Sequence, residues 1–276
     1  MPELPEVETV ARLIRPKLVG RSIEACTVRW KRTTGGLDAR ALAKLVVGAR
    51  VTRVWRRAKY IVFDLERSGA PAGALLGHLR MTGRMQVDAR GVDPGPFVKV
   101  SFDLDDDHVF HFLDVRKFGR LVFTEDAAGE LAELGPEPLS AAFTADGFFA
   151  ALRAKRRAMK PLLLDQAFVA GLGNIYVDEA LFRAGIHPLT KSERLARDRS
   201  DRLHAAIRAV LAEAIEREGS SFDVFYRTPE GNPGSFQDQF QVYGRGGEPC
   251  RACGTKITRL VVGQRGTHVC RRCQKR

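Results

Sequence analysis

Cysteine is nearly absent from the body of this 276-residue chain: four of the five cysteines lie between Cys250 and Cys273. Only Cys26 falls elsewhere, which excludes a disulfide-stapled scaffold and makes that residue a small buried apolar one. No uninterrupted apolar run reaches membrane-spanning length, and no charged-then-apolar leader precedes the body. The expectation is a cytoplasmic protein with no membrane partner, nucleoid-associated if it binds DNA. Acid is also short, with 33 Asp and Glu against 45 Lys and Arg, a formal charge of +12. That balance favours a polyanion, and nucleic acid is the commonest one.

The basic residues are clustered, at Arg53–Lys59, Arg153–Lys160 and Arg271–Arg276. Such runs suit phosphate-facing surfaces. A hydrophobic fraction of 44% supports real cores and excludes a disordered chain. There is no internal repeat. The length admits one large domain or two ordinary ones.

Helical periodicity over residues 5–19 puts Val7, Val10, Ile14 and Leu18 on one stripe. From about 22 to 124 the pattern turns β-rich, with strands expected at 27–30, 49–54, 60–65, 74–78, 98–104, 109–113 and 121–124, as in a sandwich or barrel. Leu134–Leu139 reads as a linker. Helices follow at 145–153, 159–164, 175–184 and 192–218, then a polar Gly/Pro-rich loop over 219–235.

Cys250-x2-Cys253 and Cys270-x2-Cys273, separated by residues 254–269, have zinc-ribbon spacing: two Cys-x-x-Cys turns offer four thiolates to one tetrahedral ion. Gly171-Leu172-Gly173-Asn174 lacks the third glycine and the βαβ setting of a dinucleotide site. It reads instead as a helix start, with Asn174 where an N-cap would sit and amides available to a phosphate. His78–Gly83 reads as a strand entering a turn with Met81 near its tip. Asp114–Arg120 brings Arg116 and Phe118 close to another turn. A wedge, an aromatic plate and a guanidinium are the side chains that can fill the gap left by a flipped-out base.

Pro2-Glu3-Leu4-Pro5-Glu6-Val7-Glu8-Thr9, Arg57–Tyr60, His78–Gly83, Asp114–Gly119, Gly171–Tyr176 and Gln264–Thr267 follow in that order, together with the four cysteines. This array resembles the bacterial formamidopyrimidine-DNA glycosylases and spans residues 2 to 273. The resemblance implies a two-domain α+β fold: an N-terminal β-sandwich with an N-terminal helix (1–134), a helix–two-turns–helix DNA-binding domain (139–235) and a zinc finger (241–275). It implies a monomer acting on double-stranded DNA that contains oxidised bases, with DNA across the cleft and one structural Zn2+. Pro2 would be the nucleophile after removal of Met1, and Glu3 the adjacent general acid/base. An α-amino group titrates near ~8, against ~10.4 for lysine, so more free amine exists at neutral pH.

Lys59 would serve base recognition and the first elimination, and Arg265 the flanking phosphate and the second. Met81, Arg116 and Phe118 would fill the void, with Arg116 on the orphaned cytosine. Lys155, Lys160 and Asn174 would contact the DNA backbone. Glu6 would support catalysis or serve as an ordinary first-turn acid, Glu179 would be a structural anchor, and Glu8 a solvated helix acid.

Two departures stand out. Where many relatives have His-x-His-Val, this chain has Phe97-Val98-Lys99-Val100, so the histidine contact to DNA is not carried over, and Lys99 would supply a different phosphate contact. The lesion-covering loop, commonly Gly-Gly followed by Thr or Ser, is Glu218-Gly219-Ser220-Ser221-Phe222-Asp223. Two other readings stand beside the oxidised-purine enzyme: an endonuclease VIII-like glycosylase for oxidised pyrimidines, and a non-catalytic damage-binding protein. Leu4, Arg116 and Phe118 favour the purine enzyme over the first, and the intact Pro2-Glu3 pair argues against the second.

Overall fold

In the computed structural model, residues 1–221 and 226–276 are described. The chain divides into two units, Met1–Glu133 with Glu218–Ser235, and Leu134–Arg217 with Phe236–Arg276. Residues 218–235, which read from the sequence as the tail of the helical domain, belong by contact to the first unit. Phe222 and Asp223 of the lesion-loop motif lie outside the described residues.

The first unit opens with α1 (Leu4–Leu18), whose Val7, Val10, Ile14 and Leu18 are all buried. Pro5, in its first turn, costs no helical hydrogen bond there. Next come β1 (Ile23–Val28), α2 (Ala39–Val46), β2 (Arg50–Arg57), β3 (Tyr60–Arg67), β4 (Ala70–His78), β5 (Gly83–Ala89), β6 (Val98–Leu104), β7 (His108–Asp114), β8 (Arg120–Thr124) and a single turn, α3 (Ala127–Glu130). The strands form two four-stranded antiparallel sheets, ordered β1-β6-β7-β5 and β2-β3-β4-β8. One core joins their inner faces with α1, and Phe63 of the second sheet lies 5.4 Å from Phe110 of the first. That is the expected β-sandwich.

Besides the single turn α3, two elements escaped the sequence. β5 buries only Gly83 and Met85 fully and carries Arg, Gln and Asp between its apolar residues. It exists because β7 pairs with it along its whole length. α2 buries just Leu42 and Val46, too few for a visible stripe, and is started by Asp38, whose Oδ1 accepts from Ala41 N at 2.9 Å.

The second unit contains α4 (Ala145–Arg153), α5 (Met159–Leu163), α6 (Asn174–Arg183), α7 (Arg197–Glu216) and a hairpin of β9 (Thr258–Val262) and β10 (Arg265–Val269). α7 starts later than residue 192 because Ser192–Arg194 forms a separate 3-10 turn. There the buried Ser192 hydroxyl donates to Lys155 O at 2.6 Å. Among the described residues no helix is long and apolar enough to cross a membrane.

Candidate catalytic and nucleic-acid-binding site

Pro2 and Glu3 are buried at the head of α1. Glu3 is the N-cap, and Glu3 and Glu6 form a reciprocal capping box in which Glu3 N donates to Glu6 Oε2 at 2.8 Å. The other oxygen, Glu6 Oε1, accepts from Ser220 N at 2.7 Å. One buried carboxylate thus ties the Pro2-Glu3 segment to the loop entered at Glu218. Gly219 has φ +80°, and a Cβ there would meet Glu6 Oε1 at 2.8 Å, so no larger residue fits as closely. Tyr226 donates to Glu218 O at 3.0 Å, fastening the far side of the same loop.

Lys59 sits in the two-residue turn between β2 and β3, preceded by Ala58 at φ 53°. Arg56 braces this turn: it donates to Glu8 Oε2 at 2.8 Å and to Ala58 O at 3.0 Å. Glu8 is therefore not the solvated acid expected. Burial opposes its charge, but Arg56 and Arg12 outweigh burial and hold the carboxyl below its usual range. The sequence reading also passed over His78 as an individual residue. It stands opposite Tyr60, ring centroids 4.8 Å apart, and within electrostatic reach of Lys59. Burial, with Arg80 and Lys59 nearby, pushes this imidazole down to about 3. It is neutral, and because Nδ1 accepts from Arg80 N at 3.0 Å the ring proton is on Nε2. The signal was present: a histidine in a stretch already singled out, facing the residue after Lys59 across a strand pair.

Met81 and the pair Arg116 and Phe118 occupy two turns, after β4 and after β7, that a buried carboxylate joins. Asp114 Oδ1 accepts from the Thr82 hydroxyl and from Arg116 N at 3.2 Å, and Oδ2 accepts from Gly119 N at 2.6 Å. Phe118 is 51% exposed, and the Arg116 guanidinium stacks 5.0 Å from its ring. An exposed aromatic and a guanidinium held this way present a flat polar edge backed by an apolar plate.

In the second unit Lys155 is exposed after α4. Lys160 is not: its side chain is fully buried, with Nζ 2.6 Å from Asp178 Oδ1 and 3.0 Å from Gly266 O. The expected phosphate contact through Lys160 is corrected to an internal ion pair, since a phosphate cannot reach an ammonium enclosed in protein. The N-cap reading of Asn174 is corrected too. Gly173 is the N-cap, and Asn174, the first residue of α6, donates from Nδ2 to Gly266 O at 3.0 Å. Two side chains therefore converge on the carbonyl next to Arg265. That arginine is exposed and opens β10 just after a two-residue turn whose members, Gly263 and Gln264, both have positive φ. Glu179, fully buried, accepts from Gln241 N, Val242 N and Tyr243 N at 2.8 to 3.1 Å, fixing the chain that enters the cysteine region.

The ligand sulfurs of Cys250, Cys253, Cys270 and Cys273 all lie within 4.8 Å of one another, with Cys250–Cys273 at 3.9 Å and Cys253–Cys270 at 3.5 Å. Four soft thiols converging so closely fit one tetrahedral zinc ion. Burial and the neighbouring sulfurs push the Cys273 thiol up, a cost that a divalent cation removes.

A sandwich bearing an N-terminal proline–glutamate pair, with helices and a four-cysteine hairpin in a second unit, defines a class of DNA-repair glycosylase. Family models match the formamidopyrimidine-DNA glycosylase N-terminal domain over residues 1–121, the formamidopyrimidine-DNA glycosylase H2TH domain over 134–226, and a zinc finger found in FPG and IleRS over 247–276. The formamidopyrimidine-DNA glycosylase of Geobacillus kaustophilus is 43% identical, with all of both chains covered. The MutM (Fpg) crystal structure from Thermus thermophilus matches with a TM-score of 0.87 at 42% identity, covering 99% of this chain and 98% of that one. Lactococcus lactis Fpg (MutM), solved with DNA containing an oxidised pyrimidine, matches at 0.89 and 34% identity over the whole of both chains. The chain belongs to the formamidopyrimidine-DNA glycosylase family.

Proposed function

We propose that this protein excises oxidised purines from duplex DNA and then cleaves the abasic strand, with Pro2 as nucleophile. After loss of Met1, the secondary amine of Pro2 attacks the anomeric carbon of the damaged nucleotide and the base leaves. The resulting iminium acidifies the neighbouring sugar proton, and successive β- and δ-eliminations break the strand. Glu3 moves the proton that opens the sugar ring. Lys59 serves the first elimination, and Arg265, gripping a flanking phosphate, serves the second. Met81, Arg116 and Phe118 fill the vacated stack, with Arg116 on the orphaned cytosine. Lys155 and Asn174 act at the DNA backbone. Zinc, held by the four cysteines, supplies the rigidity that presents Arg265.

The observation that carries this reading is Glu6, which grips Glu3 N with one oxygen and Ser220 N with the other. It holds the buried proline–glutamate pair in place at the end of the chain that would otherwise fray. The preference for purines is supported by Arg116 and Phe118 side by side. The +12 charge supports DNA as the partner, and the proposal is completed by a monomer working on nucleoid DNA in the cytoplasm.

Borohydride reduction during turnover of an 8-oxoguanine duplex should trap a covalent protein–DNA adduct, and retaining Met1 should abolish it. Normal trapping by the blocked protein would rule out Pro2. A panel of duplexes decides the lesion class: preference for thymine glycol over 8-oxoguanine opposite cytosine would overturn the purine assignment.

A further inference from the structure

Next to the Arg116–Phe118 turn, the first sheet carries a group of cations without counter-ions. Arg29 N and Trp30 N donate to Lys99 O at 2.8 and 3.3 Å, locking the end of β1 onto the start of β6. Lys117, held at φ 60°, places its Nζ 4.4 Å from the centre of the Trp30 ring. Lys99 Nζ lies 6.0 Å from the ring of Phe97, which is 44% exposed. Burial, then Lys117, and also Arg29, lower the proton affinity of Lys99, against a pull from Asp114. Asp114 itself has its oxygens engaged by Thr82, Arg116 N and Gly119 N. Among the described residues, Arg29, Lys99 and Lys117 form no ion pair.

Three like charges gathered on a fixed backbone work against folding and are relieved only by an anion. The two aromatic rings raise the cations' local order, since a stacked ammonium gives up rotamer freedom before any ligand arrives. We propose that the exposed Arg29 and Lys117, with the largely buried Lys99 adding its charge, form a phosphate-binding site for the DNA backbone, on the strand that carries the orphaned base. The strand assignment rests on the placement of Arg116 at that base, because Lys117 is its chain neighbour. The site grips the intact strand while the base-facing turn probes the gap.

The test is the salt dependence of binding to a duplex with a tetrahydrofuran abasic analogue opposite cytosine. Each phosphate contact contributes about 0.9 to the slope of log K against log salt. The double variant Lys99→Gln/Lys117→Gln should lose about that much, while Lys44→Gln, an exposed lysine on α2, should leave the slope unchanged. Thermal unfolding of each variant checks that the fold persists. Neutral methylphosphonates walked along the intact strand should find one position whose effect disappears in the double variant. An unchanged slope, or an equal loss in Lys44→Gln, overturns the site. If the sensitive methylphosphonate lies on the damaged strand, the strand assignment is overturned. Failure of the Arg116 reading is seen separately, as opposite-base discrimination that survives Arg116→Ala.

Discussion

Lys160 and Asp178 meet inside the second unit with Nζ and Oδ1 2.6 Å apart, both side chains almost wholly shielded from solvent. The pair is not isolated. Lys160 also donates to Gly266 O, and Asp178 Oδ2 accepts from His268 N at 2.9 Å. α5 and α6 are thereby pinned to β10, the strand that begins with Arg265.

Breaking such a pair from one side strands a buried charge and costs about 3–5 kcal/mol. Lys160→Met should lower the unfolding midpoint sharply, and Lys160→Met/Asp178→Leu should recover much of the loss. Both are read by thermal unfolding. A surface phosphate contact would behave differently, with little change in stability and a shallower salt dependence of DNA binding.

Glu6 allows a parallel test at the head of α1. Its carboxylate accepts from two backbone amides, one on each side, and hydrogen bonds to a charged group contribute about 1.5–3 kcal/mol. Glu6→Gln keeps the shape but gives up the charge and one acceptor, so unfolding should come earlier and borohydride trapping should slow. A variant as stable as the parent would show that Glu6 is no more than a first-turn acid.

Arg116→Ala removes the guanidinium that stacks on Phe118. A bidentate contact to a base discriminates by about 1–3 kcal/mol, so the preference for 8-oxoguanine opposite cytosine over adenine should fall by roughly five- to a hundred-and-fifty-fold. Excision rates on the two duplexes measure it. Retained discrimination would move the readout to another side chain.

The sequence exposed what depends on local chemistry and hid what depends on long-range packing. The α1 stripe, the boundaries of β6 and α4, and the cysteine spacing were legible because periodicity and ligand chemistry are written in consecutive residues. β5 was not, since its identity comes from pairing with β7. Lys160 looked like a phosphate ligand because it ends a basic run, and only its partner eighteen positions on, Asp178, reveals it as interior. Asn174 was misread as a cap because the Gly173 backbone takes that place, freeing the amide side chain for Gly266. Glu8 was misjudged for the same reason, its partner Arg56 being forty-eight residues away.

Metal removal should separate the finger from the rest. Four thiols at these distances favour a bound cation over four protonated sulfurs, so a strong chelator should lower the unfolding midpoint and weaken DNA binding, and added zinc should restore both. Cys270→Ser should mimic the chelated protein and resist rescue. Full DNA affinity in the chelated state would remove zinc from the account of how Arg265 is presented.

His78 sets an acid limit on stability. Its folded value of about 3 lies below the usual 6.5, so between those values the unfolded chain holds a proton that the folded chain does not. Stability is therefore complete above about pH 6.5 and drains away as pH falls towards 3, at about 1.4 kcal/mol per unit. From pH 7 to 5 the loss from this residue is about 2 kcal/mol by the same relation. His78→Gln cannot take up that proton, so its urea midpoint should fall less over that interval than the parent's. Parallel pH profiles would show instead that His78 takes up its proton over the same range in the folded and unfolded chains, so that its burial beside Lys59 does not hold it neutral.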